Sequence, residues 1–232
     1  MSLGEPMRPL EVRHLGIISF AEGLALQAEL VHERRAGKIP DTLLLLQHSH
    51  VLTVGVKKDG RANILAPPER LGALGVDVFD TGRGGDVTYH GPGQIVGYPL
   101  LDLNPDRRDV HRYVRDLEEV MIRVCGAYGV EAGRVQGLTG AWVTHPRRGP
   151  EKIGAIGVRI SRWITSHGFA FNVSTDLSLF DLIVPCGIAD RGVTSLERAT
   201  GQFLDLAEVA LRISEAMAAV FDRKVRHSVA AR

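Results

Sequence analysis

Between Val130 and Asn172 the chain reads as four strand-like segments in a row, 130–135, 141–143, 152–160 and 164–172. No helical periodicity separates them. A doubly wound fold alternates strand with helix, so this run argues for an α+β architecture built on a mixed sheet. Further strands are predicted at 10–15, 41–47, 51–56, 76–80 and 94–101, with 51–56 as the hairpin partner of 41–47.

Helices are marked by their caps and by their spacing. Ser19 and Glu22 form a capping box, and Phe20, Leu24, Ala28 and Val31 follow at helical spacing. A short helix starts at Pro67–Pro68. Asp109 caps an amphipathic helix whose stripe is Val110, Val114, Leu117, Met121 and Val124, closed by Gly129. Asp205 and Glu208 open the last helix, with Val209, Ile213, Met217 and Val220 inward. With no repeat and no clear linker, residues 1–225 read as one domain and 226–232 as a disordered tail.

The charge balance, 28 Lys+Arg against 27 Asp+Glu, gives no global reason to bind nucleic acid or an anionic membrane. No apolar run has the length of a membrane span. The start lacks the apolar region of a signal peptide, and two cysteines form no disulfide framework, so the expected location is the cytoplasm. Nine histidines are scattered without ligand spacing, and no metal or other cofactor is expected.

Glycines concentrate where chemistry would sit. The segment Thr81–Gln94 has five glycines in fourteen residues and follows a strand. Its backbone N–H groups are open to an anion or an extended ligand, and Arg83 adds a cation suited to a carboxylate or phosphate. It is neither a Walker loop nor a dinucleotide fingerprint, because the required Gly-Lys-Ser/Thr and following helix are missing. In the segment Glu151–Arg159, Lys152 opens an apolar strand interrupted by Gly154 and Gly157. Glycine within a strand marks a place where a ligand lies against backbone. The segment Ser166–Asn172 carries His167 and Gly168.

Cys186 lies between Pro185 and Gly187, after the apolar run Leu182–Val184, and so is expected on a turn. Cys125 falls on the edge of a helical stripe and reads as a small buried hydrophobe. A cation beside a thiol stabilises the thiolate, so Lys152 facing Cys186 would make it a nucleophile. The two would titrate as a coupled pair.

In order and spacing, Arg83-Gly-Gly-x-x-Thr-x-His90-Gly-Pro-Gly-Gln94, Lys152-Ile-Gly-Ala-Ile-Gly157, His167-Gly-Phe-Ala-Phe-Asn172 and Pro185-Cys-Gly-Ile188 resemble the lipoate-pathway octanoyltransferases. The resemblance runs from about Leu10 to Val220. It implies the fold of biotin and lipoate protein ligases, a mixed sheet flanked by helices with a smaller sheet completing a pocket. It implies transfer of an octanoyl group from acyl carrier protein to a lysine of lipoyl domains, those of 2-oxoacid dehydrogenases and of the glycine-cleavage H protein. By the same resemblance Cys186 carries the acyl thioester and Lys152 is its activating partner. Substrate contacts fall on Arg83, Gly84, Gly85, Asp86, Val87, Thr88, Tyr89 and His90, on Ala155, Ile156 and Gly157, and on Gly168, Phe169 and Ala170. The family commonly has Glu-His where this chain has Gln47-His48.

Two rival readings use the same residues. An ATP-dependent lipoate or biotin ligase would need groups that grip phosphate, with no use for a cysteine nucleophile. A carrier-binding domain without chemistry would tolerate loss of Cys186.

Overall fold

A computed structural model describes residues 7–184 and 191–227. Among the described residues, eleven strands form two sheets. The large sheet has the order β11-β1-β2-β6-β10-β9-β8-β7. Its members are β1 (Arg8–Ile18), β2 (Asp41–His48), β6 (Gln94–Leu100), β7 (Ala132–Val135), β8 (Leu138–His145), β9 (Gly149–Ser161), β10 (Ile164–Asn172) and β11 (Arg223–His227). The small sheet has the order β4-β3-β5, with β3 (Val51–Val54), β4 (Asp77–Asp80) and β5 (Val87–His90). The α+β reading with a smaller second sheet is therefore what is found.

The large sheet is mixed because β1 pairs in parallel with both β2 and β11, while the strands from β6 to β7 pair antiparallel. Helix α1 (Phe20–Arg35) makes the β1–β2 crossover, and Ser19 and Glu22 form the expected reciprocal capping box. Helices α3 (Val110–Ala127) and α5 (Leu206–Phe221) cover the opposite face, over a core that includes Leu117, Met121, Ile153, Phe171 and Ile213. Shorter helices are α2 (Pro68–Ala73) and α4 (Leu196–Thr200).

Several sequence expectations are corrected. Val51–Val54 is not the hairpin partner of β2, because it pairs with β4 and β5 and so founds the small sheet. Residues 87–90, read as loop, form β5. The last strand reaches His227, past the expected start of a tail at 226, because Glu11 and Val12 pair with Arg226 and His227. The buried face of α1 is Phe20, Gly23, Gln27 and Leu30, while Ala28 is exposed. The buried amide of Gln27 has a partner there: its Oε1 accepts the His167 N–H at 2.7 Å. Val110 is 45% exposed, so the α3 stripe begins instead at Tyr113. Arg107, in the turn before α3, is buried against Asp116 and Asp222 with its guanidinium over the Phe221 ring.

Asp41, the first residue of β2, is the hub of the sheet's parallel end. It is 2% exposed and accepts from Arg34 at 2.9 Å, Arg223 at 2.9 Å, Arg8 at 3.3 Å and the Asp102 N–H at 2.9 Å. One carboxylate thus ties together α1, β1, β11 and the end of β6. Removing it would take the buried counter-charge from Arg223 and leave it the half-exposed Asp106 alone. Breaking a buried pair from one side typically costs about 3–5 kcal/mol. Asp41→Ala is expected to lower unfolding free energy in urea by that amount, whereas a loss below about 1 kcal/mol would show that the hub does not hold this end.

Candidate active site

A cavity of about 570 Å³ lies between the α1-side face of the large sheet and the small sheet. Its floor follows from strand register. Val96 on β6, Ala170 on β10 and Ala155 on β9 stand in one row, because Ala170 pairs with both of the others. The next row holds Gly168 opposite Gly157. Small residues at these positions leave the space empty. They also let the small sheet come close: a Cβ on Gly157 would meet Arg83 Cδ at 2.8 Å and Gly84 O at 3.0 Å. One on Gly168 would collide with the Gly97 carbonyl at 2.1 Å.

A bulge brings Lys152 to the same cavity. Opposite β8, Ala141 pairs with Gly154 and Trp142 with Lys152, so β9 carries one extra residue. Ile153 is then buried in the core, and a Cβ on Gly154 would point at Met121 on the same side. Simple alternation would put Lys152 and Ala155 on opposite faces. The bulge lets both line the cavity. The Lys152 ammonium sits over the Trp142 ring, 4.8 Å from its centroid.

The glycine-rich loop forms the opposite wall and is docked on β9 by the Gly84 N–H, which donates to Val158 O at 2.9 Å. Arg83 buckles this loop. Its Nη2 donates to Thr53 O at 2.5 Å and Asp86 O at 2.8 Å, its Nη1 to Gly84 O at 3.0 Å, and its Nε to Thr53 Oγ1 at 3.3 Å. These donors are committed to backbone and hydroxyl oxygens of the wall itself, while Arg83 also borders the cavity. Asp86 is structural too, accepting from Lys57 at 3.0 Å, Asn63 at 2.8 Å and the Val87 N–H at 2.7 Å.

Three imidazoles surround the inner end. His48 Nδ1 lies 3.0 Å from Ile18 O, which can only accept. The proton therefore sits on Nδ1, and Nε2 accepts the Tyr98 hydroxyl proton at 2.7 Å. His90 has the same tautomer for a different reason. Gln94 Nε2 donates to Tyr89 O and Asn172 Oδ1, so Gln94 Oε1 accepts from His90 Nδ1 at 2.7 Å. The Thr53 hydroxyl, which already accepts from Arg83, then faces His90 Nε2 at 3.3 Å as the donor. Burial favours the neutral rings. It pushes His90 down to about 3, helped by repulsion from His48 and Arg83. Burial also lowers His48, and takes His167 down to about 4 with help from Arg83 and Arg159.

Most residues predicted for the site line this cavity: Lys152, residues 83–88, His90, residues 155–157 and residues 168–170. Tyr89 does not. It turns to the other face of β5, where its hydroxyl meets His50 Nδ1 at 2.8 Å and its ring packs against Phe180. Cys186 lies outside the described residues. Cys125 is fully buried, and burial pushes its thiol up to about 12, as a core residue requires. Phe20, Val96 and Tyr98 also form the wall and had been read only as core or strand. Among the described residues no group of three His, Cys, Asp or Glu side chains could hold a metal.

This architecture is that of lipoate and biotin protein ligases. The bipartite lipoate protein ligase of Thermoplasma acidophilum superposes with a TM-score of 0.73 at 15% identity, over 97% of this chain and 87% of that one. A lipoate-protein ligase A bound with ATP gives 0.72 at 14% identity, covering 96% and 89%. At such identities the likeness concerns fold alone. The family described as Lipoyl protein ligase A/B catalytic domain matches residues 19–218, and the chain belongs to it. Among its relatives are the octanoyltransferase of Rubrobacter xylanophilus, 53% identical over 92% of this chain and 94% of the relative, and that of Solibacter usitatus, 51% identical over 93% and 94%.

The neutral histidines have a consequence for stability. A free histidine titrates near 6.5, so an unfolded chain takes up protons there that the folded one refuses. The stabilisation from His90 and His167 is fully present above about pH 6.5 and is lost as pH falls towards about 4 for His167 and about 3 for His90. Each ring contributes a slope of up to about 1.4 kcal/mol per pH unit in that window. His167→Gln is expected to flatten the slope measured by denaturant unfolding between pH 4.5 and 6.5 by about one proton. An unchanged slope would mean that His167 is already charged in the folded protein.

Proposed function

We propose that this chain is an octanoyltransferase of protein lipoylation. It takes an octanoyl group from acyl carrier protein, holds it as a thioester on Cys186, and passes it to the lysine of a lipoyl domain. The carrying observation is the cavity: an acyl-sized space floored by Val96, Ala155, Gly157, Gly168 and Ala170, with Lys152 delivered to it by a bulge. Identity near 50% to relatives named octanoyltransferase supports the same reading. The ligase alternative is less well supported, because Arg83, the cation of the glycine loop, spends its donors on the loop and on Thr53. The proposed site of action is the cytoplasm, and no helix among the described residues is long and apolar enough to cross a membrane.

In this reading the thiol proton moves to the Lys152 amine, giving a thiolate and an ammonium. The thiolate attacks the donor thioester, and the departing carrier thiolate takes a proton from the Lys152 ammonium. Lys152 is then neutral. When the acceptor lysine's neutral amine attacks acyl-Cys186, the proton it sheds passes to Lys152. Cys186 leaves as a thiolate, and the starting ion pair is restored. The first exchange is between thioesters, and the second gains an amide, which pulls the sequence forward.

Incubation with octanoyl-acyl carrier protein is expected to add one octanoyl mass to the intact protein, and Cys186→Ser to abolish the gain. ATP-dependent transfer without any adduct would overturn the assignment. Lys152→Ala is expected to raise the pH midpoint of Cys186 alkylation towards the ordinary value of about 8.5. An unchanged midpoint would remove Lys152 from the activating role.

A further inference from the structure

Gln94 and Asn172 close two of the motifs noted in the sequence, yet neither borders the main cavity. Both are almost fully buried. Their amides are joined at 2.9 Å, Gln94 Nε2 donating to Asn172 Oδ1. Two buried amides face to face have little tolerance for error, because a displaced partner leaves a polar group unpaired.

Their position explains what the pair holds. Strand β10 is paired with β9 only as far as Phe171 opposite Gly154, and it ends at Asn172. Beyond that point the vacated edge of β9 is taken over by residues 192–194, running parallel to it. The Lys152 N–H donates to Gly192 O at 2.9 Å, and the Thr194 N–H to Lys152 O at 3.0 Å. Lys152 is thus the residue at which one strand replaces another. Asn172 stands at the splice, its Nδ2 donating to Thr194 O at 3.0 Å. On its other side, Gln94 is set by His90, and His90 by Thr53, which accepts from Arg83. One hydrogen-bond chain therefore runs from the buckle of the glycine loop to the backbone of Lys152. A cavity of about 20 Å³ bounded by Thr88, Gln94, Asn172, Lys152 and Val193 lies beside it.

We propose that Asn172 is a positioning residue for Lys152: its side chain locks residues 192–194 onto the edge of β9, and Gln94 orients that side chain. The described geometry needs no ligand for this. The effect on Cys186 chemistry rests on the octanoyltransferase reading, in which the 192–194 ribbon follows the nucleophile's segment in the chain.

Asn172→Ala removes the donor to Thr194 without adding charge. The expected result is a fall in kcat of at least tenfold with KM for the octanoyl donor within twofold. The pH midpoint of Cys186 alkylation should rise by at least half a unit. Combined with Lys152→Ala, the Asn172 change should give no further rise. Gln94→Met keeps the volume but removes the donor to Asn172, and should move both readouts the same way by less. It decides the matter if Asn172→Ala does not fold. An unchanged alkylation midpoint would overturn the proposal even if stability fell, since a purely structural role predicts that pattern. Alkylation needs no acyl donor, so it reports on positioning independently. Absence of an octanoyl adduct on the wild type would count against the octanoyltransferase reading instead.

Discussion

The site depends on how closely the glycine loop is seated on β9. The Gly84 N–H reaches Val158 O at 2.9 Å, and this is possible only because Gly157 has no side chain to hold Arg83 away. Arg83 then closes the loop on itself and on Thr53 with a buried guanidinium whose bonds are spent on oxygens of the wall. With the two sheets held at that spacing, the small residues of the floor become a cavity instead of a packed core. A larger residue at either contact would separate the sheets or fill the slot.

The same seating sets the electrostatics. A cation buried at the wall, with three imidazoles nearby, favours neutral rings and disfavours any further positive charge on the inner side. His48 and His90 are each kept in one tautomer by a carbonyl or amide oxygen, so these two rings present fixed donors and acceptors. Lys152 is placed elsewhere, at the splice between β10 and residues 192–194 and over the Trp142 face. The arrangement keeps the Lys152 ammonium apart from the buried imidazoles, although His90, His167 and Lys152 all border one cavity.

Much of this was legible in the sequence. The strand run ending at Asn172, the capping box at Ser19 and the glycine loop were each local signals, and each was found in place. The small sheet was implied by the family resemblance, but its strands were not legible locally, because Val51–Val54 and Asp41–His48 carry the same apolar pattern and only the long-range pairing with β4 and β5 distinguishes them. The hydrogen bonds of Arg83 were hidden for a similar reason: a guanidinium among glycines gives no hint of its acceptors until Thr53 and Asp86 are placed around it. The bulge at Ile153 has no sequence mark of its own, although it decides which face Lys152 occupies. Gln27 and Asn172 were passed over because a lone polar side chain acquires meaning only when a distant backbone group is left seeking a partner.

Fold alone does not separate ligase from transferase, since both chemistries occupy this architecture. The separation lies in the source of activation, an adenylate in one case and an enzyme thioester in the other. The most direct test is a single-turnover transfer from isolated octanoyl-enzyme, freed of donor and nucleotide, to an apo lipoyl domain. The account requires the acyl group to reach the acceptor lysine without ATP, at a rate no slower than steady-state turnover. An octanoyl-enzyme that stays loaded, or that discharges only when ATP is added, would contradict it.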